Sequence, residues 1–158
     1  MRKQLKRTLI IALAIFTLTS AACNNDQLKT IAKTVDTIAL LIKDGAEIKD
    51  ELVEQGTITQ AEGDKIRQGL LKVNTALKVF NAKARTYAQA GGLTPAGKAD
   101  LQKLATDIAD AVSELVSNGT FGVKNSDAQV RINASVGALK QLTLTIINTV
   151  TLIKTKGA

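Results

Sequence analysis

The stretch TQAEGDKIRQGLLKVNTALKVFNAKARTYAQ (residues 59–89) decides the fold class. Within it Ile66, Leu70, Val73, Leu77, Phe80, Ala84 and Tyr87 recur at steps of four and three without a break, which places all of them on one stripe of an α-helix. Thr59 with Glu62 three residues later is a capping box, in which each residue satisfies a backbone N–H of the first turn that has no partner inside the helix. Ala90-Gly91-Gly92 marks the stop, because glycine takes the left-handed conformation that closes a helix.

The same signals repeat on either side. Upstream, Leu28, Ile31, Val35, Ile38, Ile42, Ile48 and Leu52 keep helical spacing, with Gly45 where a close helix contact is expected and Gly56 as the terminator. The short turn between Gly56 and Thr59 forces a hairpin. Downstream, Thr94 followed by Pro95 predicts an N-cap and first helical residue, and Leu101, Leu104, Ile108, Val112 and Leu115 carry a third seam. Asn118-Gly119 ends that helix, a loop with Phe121 and Val123 follows, and Ser126 with Gln129 reads as a third capping box. Ile132, Val136, Leu139, Leu142, Ile146, Val150 and Ile153 form the last seam. Residues 142–152 also alternate at period two and are rich in β-branched side chains, as a strand would be, but a lone hairpin would have no sheet to join. One Pro and few aromatics among abundant Ala, Leu, Ile, Val and Lys agree with helices. The expectation is all-α: an antiparallel four-helix bundle over residues 26–158, one domain with one modest core. The capped starts at Ile58-Thr59-Gln60-Ala61 and Leu93-Thr94-Pro95-Ala96 echo each other, which local capping chemistry accounts for without duplication.

The N-terminus has a different character. Arg2, Lys3, Lys6 and Arg7 precede TLIIALAIFTL (residues 8–18), an apolar run with the length of a signal-peptide core and too short to span a bilayer. Small residues then lead to Cys23, the single cysteine of the chain. Ser20-Ala21-Ala22-Cys23 resembles the lipobox of bacterial lipoproteins, with Ser20 at the position where that family prefers Leu and Leu18 two residues further upstream. The resemblance covers residues 1–23. It implies a signal peptide over 1–22, cleavage before Cys23, diacylation of the Cys23 sulfur and a lipid-anchored N-terminus over 23–25. Lipidation would also remove an unpaired thiol from an oxidising compartment. Ser20-Ala21-Ala22 equally fits the small-x-small rule for ordinary secretion, which cuts at the same bond. Asn24, next to Cys23, is not the Asp that retains enterobacterial lipoproteins in the inner membrane. By that analogy the anchor lies in the outer membrane where the source has two.

Removing residues 1–22 changes the electrostatic reading. The formal charge of +7 includes four basic residues and no acids from that segment, so the mature chain carries +3. No Arg-rich strip or aromatic platform remains, and nucleic acid is excluded as a partner class. By helix, residues 26–55, 57–89, 93–118 and 120–156 carry −3, +4, −2 and +4, so sequential neighbours alternate in sign.

Absences narrow the chemistry further. With no His, the commonest general base, the commonest nitrogen metal ligand and the Ser-His and Cys-His nucleophile systems are missing. Gly91-Gly92 lacks the Lys-Ser/Thr of a phosphate loop. Tyr87 is expected to pack partly, with its hydroxyl in water. Asp44, Glu47, Asp50, Glu51 and Glu54 on the first helix, and Asp100, Asp107, Asp110 and Glu114 on the third, are expected to be solvated faces. A sugar-cleaving carboxylate pair would need stacking aromatics that three Phe, one Tyr and no Trp do not supply. No catalytic residue, metal ligand or cofactor is predicted. The expected function is a lipid-anchored envelope protein, non-enzymatic, working as a structural or interaction module toward the membrane and another envelope protein. The alternatives are a carrier or sensor of an apolar ligand, held where Gly45, Gly69, Ala76, Ala105 and Gly137 leave room, or an exclusion or immunity lipoprotein.

Overall fold

A computed structural model describes residues 24–117 and 123–155. They form four helices in chain order: α1 (Asn24–Glu54), α2 (Gln60–Gln89), α3 (Pro95–Leu115) and α4 (Ser126–Leu152), with no strand among the described residues. Packing is cyclic. Helix α1 lies against α2 and α4, and α3 lies against the same two.

The helix ends follow local chemistry. Gly56 (φ 65°) closes α1, with the Thr57 N–H donating back to the Leu52 carbonyl at 2.9 Å. At the start of α2 the Glu62 N–H donates to Thr59 Oγ1 at 3.2 Å and the Thr59 N–H to Glu62 Oε2 at 2.6 Å, which completes the capping box. Gly91 (φ 76°) and Gly92 (φ 129°) turn the chain after α2, and the Gly92 N–H reaches the Tyr87 carbonyl at 3.0 Å. Thr94 then caps α3 through a bond from the Gly97 N–H at 3.1 Å, with Pro95 in the first turn. Helix α4 corrects the expected capping box of Ser126 and Gln129. Its cap is Asn125, whose Oδ1 accepts from the N–H groups of Asp127 and Ala128 at 3.0 Å each, and Ser126 is the first helical residue. Asn places its acceptor as well as Ser does at an N-cap, and one position earlier in the chain.

The Thr-rich segment is helical through Leu152. The Thr143, Thr145, Thr149 and Thr151 hydroxyls donate to the carbonyls of Leu139, Gln141, Thr145 and Ile147, so each side chain joins the helix's own backbone instead of a strand partner. Burial of Leu142, Ile146, Val150 and Ile153 against the other helices outweighs the β preference of the intervening residues.

One continuous apolar cluster runs from Leu28 to Ile153. The predicted stripes supply most of it, with Phe80, Ile38, Leu101, Ile108 and Ile146 fully enclosed. Two positions differ from expectation: Ile48 and Leu104 are only partly buried, whereas Leu41 and Ala105 lie inside. Ala105 is fully enclosed.

Close approach explains two of the glycines. A Cβ on Gly69 would sit 2.5 Å from Leu115 Cδ1, and one on Gly63 would sit 2.7 Å from Val53 Cγ2. Gly137 faces open space and lies outside the seam, contrary to expectation.

Candidate functional site at the α2–α3 turn and the start of α1

Cys23, the predicted lipidation site, lies outside the described residues, and α1 is helical from Asn24, the first residue described. Among the side chains described, the first that is buried is Leu28, four residues on.

Polar side chains from two elements meet where α2 turns into α3. The Tyr87 ring lies over Gly97, where a Cβ would come within 2.9 Å of the ring, and its hydroxyl donates to Asp100 Oδ2 at 2.8 Å. Lys83 Nζ approaches the same carboxylate oxygen at 3.3 Å and stands 5.8 Å from the Tyr87 ring centroid. Tyr87 is therefore not simply wetted, and Asp100 is not a free acid on a solvated face. Capping by Thr94 sets the phase of α3 so that Gly97 and Asp100, three apart, present one face to Tyr87. The Tyr87 hydroxyl and the Lys83 ammonium hold Asp100 below the usual carboxylate range, and the carboxylate raises Tyr87 above the usual phenol. Both shifts lead away from neutrality. At neutral pH the proton stays on Tyr87 and the charge on Asp100, so the pair acts as a clasp and not as an acid–base couple. Beside it Lys98 Nζ donates to the carbonyls of Thr151 and Ile153 at 2.6 and 2.8 Å, tying the start of α3 to the end of α4. Sequence reasoning missed this cluster. The i,i+4 placement of Lys83 and Tyr87 was visible, but the register that brings Asp100 to them depends on the turn.

The remaining acids are dispersed. Asp44, Glu47, Asp50 and Glu54 are exposed, as are Asp107 and Asp110. Glu114 pairs with Lys72, and Lys49, its stem buried, pairs with Asp50. Glu51 forms a two-pronged pair with Arg131, at 2.6 and 3.4 Å, and that guanidinium lowers the Glu51 pKa. No group of three metal-ligating side chains occurs among the described residues.

The apolar crevice between Gly45, Leu70, Leu115, Ile132 and Leu139 holds about 10 Å³, a single water's worth. An open depression of about 560 Å³ lies where Gly56, Ile58, Thr59 and Glu62 face Lys124 and Asn125. Its carboxylate is already engaged by Thr59. No helix among the described residues is long and apolar enough to cross a membrane.

No protein-family model, curated protein or solved structure matches this chain.

Proposed function

We propose that this protein is a lipid-anchored module of the bacterial cell envelope, held by acyl chains on Cys23 after removal of residues 1–22, and that it works by contact and not by catalysis. The observation that carries the reading is the position of α1. Asn24, the first described residue and the one after Cys23, is already helical, so the anchor would pass into a helix with no spacer on its C-terminal side, and the bundle would stand against the lipid surface.

An antiparallel course completes this reading. Contacts that pair late α2 with early α3 (Tyr87–Asp100), early α3 with late α4 (Lys98–Thr151) and late α1 with early α4 (Glu51–Arg131) support up-down-up-down connectivity. The outer face of α4 is the surface we assign to a partner protein. Val130 is 68% exposed and Leu144 43%, and between them lie Asn133, Ala134, Gly137 and Gln141, with Lys140 the one charge on that face. Near-neutral faces with exposed aliphatics desolvate cheaply. Ligand carriage between the helices has far less support, because Leu70 and Leu115 fill the space beside Gly45 and Gly69.

The test is the intact mass of the protein extracted from membranes, beside a Cys23→Ser variant. A chain starting at Cys23 with acyl chains attached, absent from the variant, is the expected result. An unmodified chain in the soluble fraction would remove the anchor. A photo-crosslinker at Leu144 should capture one discrete envelope protein, and capture of none would remove the adaptor role.

A further inference from the structure

Charge is distributed unevenly along the bundle. Residues 24–39, 75–109 and 140–155, the half that includes the start of α1, hold nine Lys and Arg against four Asp and Glu. Residues 40–74 and 110–139 hold seven against ten. One half is therefore strongly basic and the other acidic, although the net charge by helix shows only an alternation. The division follows the observed contacts, since Gly45 faces Leu70, Lys72 meets Glu114, and Lys98 meets Thr151.

We propose that the basic half, next to Cys23, is an electrostatic docking surface for anionic lipid headgroups, and that it stands the bundle on the membrane with its acidic end outward. The proposal rests on the anchor and the up-down course given above. It goes further by assigning a lipid class to a surface of the folded domain. Three observations carry it. From residue 75 to Lys98, all within this half, the chain has four basic residues and no acid. Lys78, Arg85 and Lys154 are exposed and form no salt bridge among the described residues, so their charges are available to a partner. Leu152, 70% exposed at the end of α4 beside Lys154, and Val79, 49% exposed beside Lys78, place apolar side chains among these cations, as interfacial helices do. Because the acyl chains alone would retain the protein, the role of this surface is orientation. An anchor at one point permits tumbling, and a cationic patch within a Debye length of the headgroups suppresses it.

The experiment uses residues 23–158 with Cys23→Ser, which carries no acyl chain and keeps the whole described core, from Leu28 to Ile153. Co-sedimentation is measured with phosphatidylcholine vesicles, and with vesicles containing phosphatidylglycerol, at low and high salt. Binding to the anionic vesicles alone, released by salt, is expected. Lys78→Glu with Arg85→Glu and Lys154→Glu should lower that affinity by at least roughly a hundredfold. The same reversal at Lys43, Lys65 and Lys124 in the other half should leave it nearly unchanged. Equal binding to both vesicle types, no binding at low salt, or equal loss from the two triple variants would each overturn the proposal. If a variant loses its helical circular dichroism, the salt response of the parent chain decides alone. The result is independent of whether Cys23 is lipidated in cells, so failure of the anchor and failure of this surface are separable.

Discussion

Gly69 and Gly137 both lie inside helices, yet their surroundings predict opposite effects of a methyl group. At Gly69 a Cβ would press on Leu115, 2.5 Å from Cδ1 and 3.3 Å from the backbone Cα, so the helix–helix contact has to open. Overpacking of this kind costs about 1–3 kcal/mol, against a gain of about 1 kcal/mol in helix propensity, and Gly69→Ala is expected to lower the melting temperature. At Gly137 nothing lies within 4 Å, and Gly137→Ala should stabilise by about 0.5–1 kcal/mol. Thermal unfolding of the two variants checks both signs. The carboxylates at Asp100, Glu51 and Glu62 share a pH consequence. All three are held below their ordinary values of 3.8, 4.5 and 4.5 by hydrogen bonds from Tyr87, Arg131 and Thr59, with a nearby cation adding at each. A depressed folded-state pKa contributes stability above the unfolded value and loses it as pH falls through the folded one. Stability should therefore be flat near neutrality and decline below about pH 5. The double variant Asp100→Asn with Glu51→Gln should be less stable at pH 7 and lose less between pH 7 and pH 3. An unchanged acid response would mean that these pairs are not coupled to folding.

Helix starts are where residue chemistry becomes element structure, and α4 gives the sharpest comparison. Asn125 accepts two backbone N–H bonds, while Ser126 one residue on makes no capping contact. Asn125→Ala is expected to destabilise by about 1 kcal/mol and Ser126→Ala by less than about 0.5 kcal/mol, measured by chemical denaturation. Equal costs would restore the Ser126 cap. The Thr59–Glu62 box on α2 and the Thr94–Pro95 start of α3 were legible because a cap is a local bargain between neighbouring atoms, and no distant residue competes for it. At α4 two adjacent residues could both cap, and the pitch that buries Ala128 and Ile132 decides between them. The Thr-rich end of α4 shows the reverse case. Its local alternation favoured a strand, but the i to i−4 hydroxyl bonds and the burial of Ile146 and Val150 keep it helical.

At the scale of the molecule, four stripes close on one core, so unfolding should be a single cooperative transition, monitored equally by circular dichroism and Tyr87 fluorescence. Phe80 sits fully enclosed in that core, and Phe80→Ala should cost about 3–5 kcal/mol. With only about 10 Å³ in the crevice beside Gly45 and Leu70, long-chain fatty acids should leave the melting temperature unchanged, and a saturable rise would revive the carrier reading. Sequence by itself determined the four helices, the glycines that follow α1 and α2, most of the buried stripe and the lack of histidine. Each follows from periodicity, backbone conformation or residue inventory, all of which act over a few neighbours. Tertiary structure decided the rest: that Tyr87 and Lys83 clasp Asp100, that Gly69 is a contact and Gly137 is not, and that Ala105 lies deeper than Leu104. Those outcomes depend on the register between helices. Register is set by how side chains interlock across the core, and nothing confined to one turn of one helix specifies it.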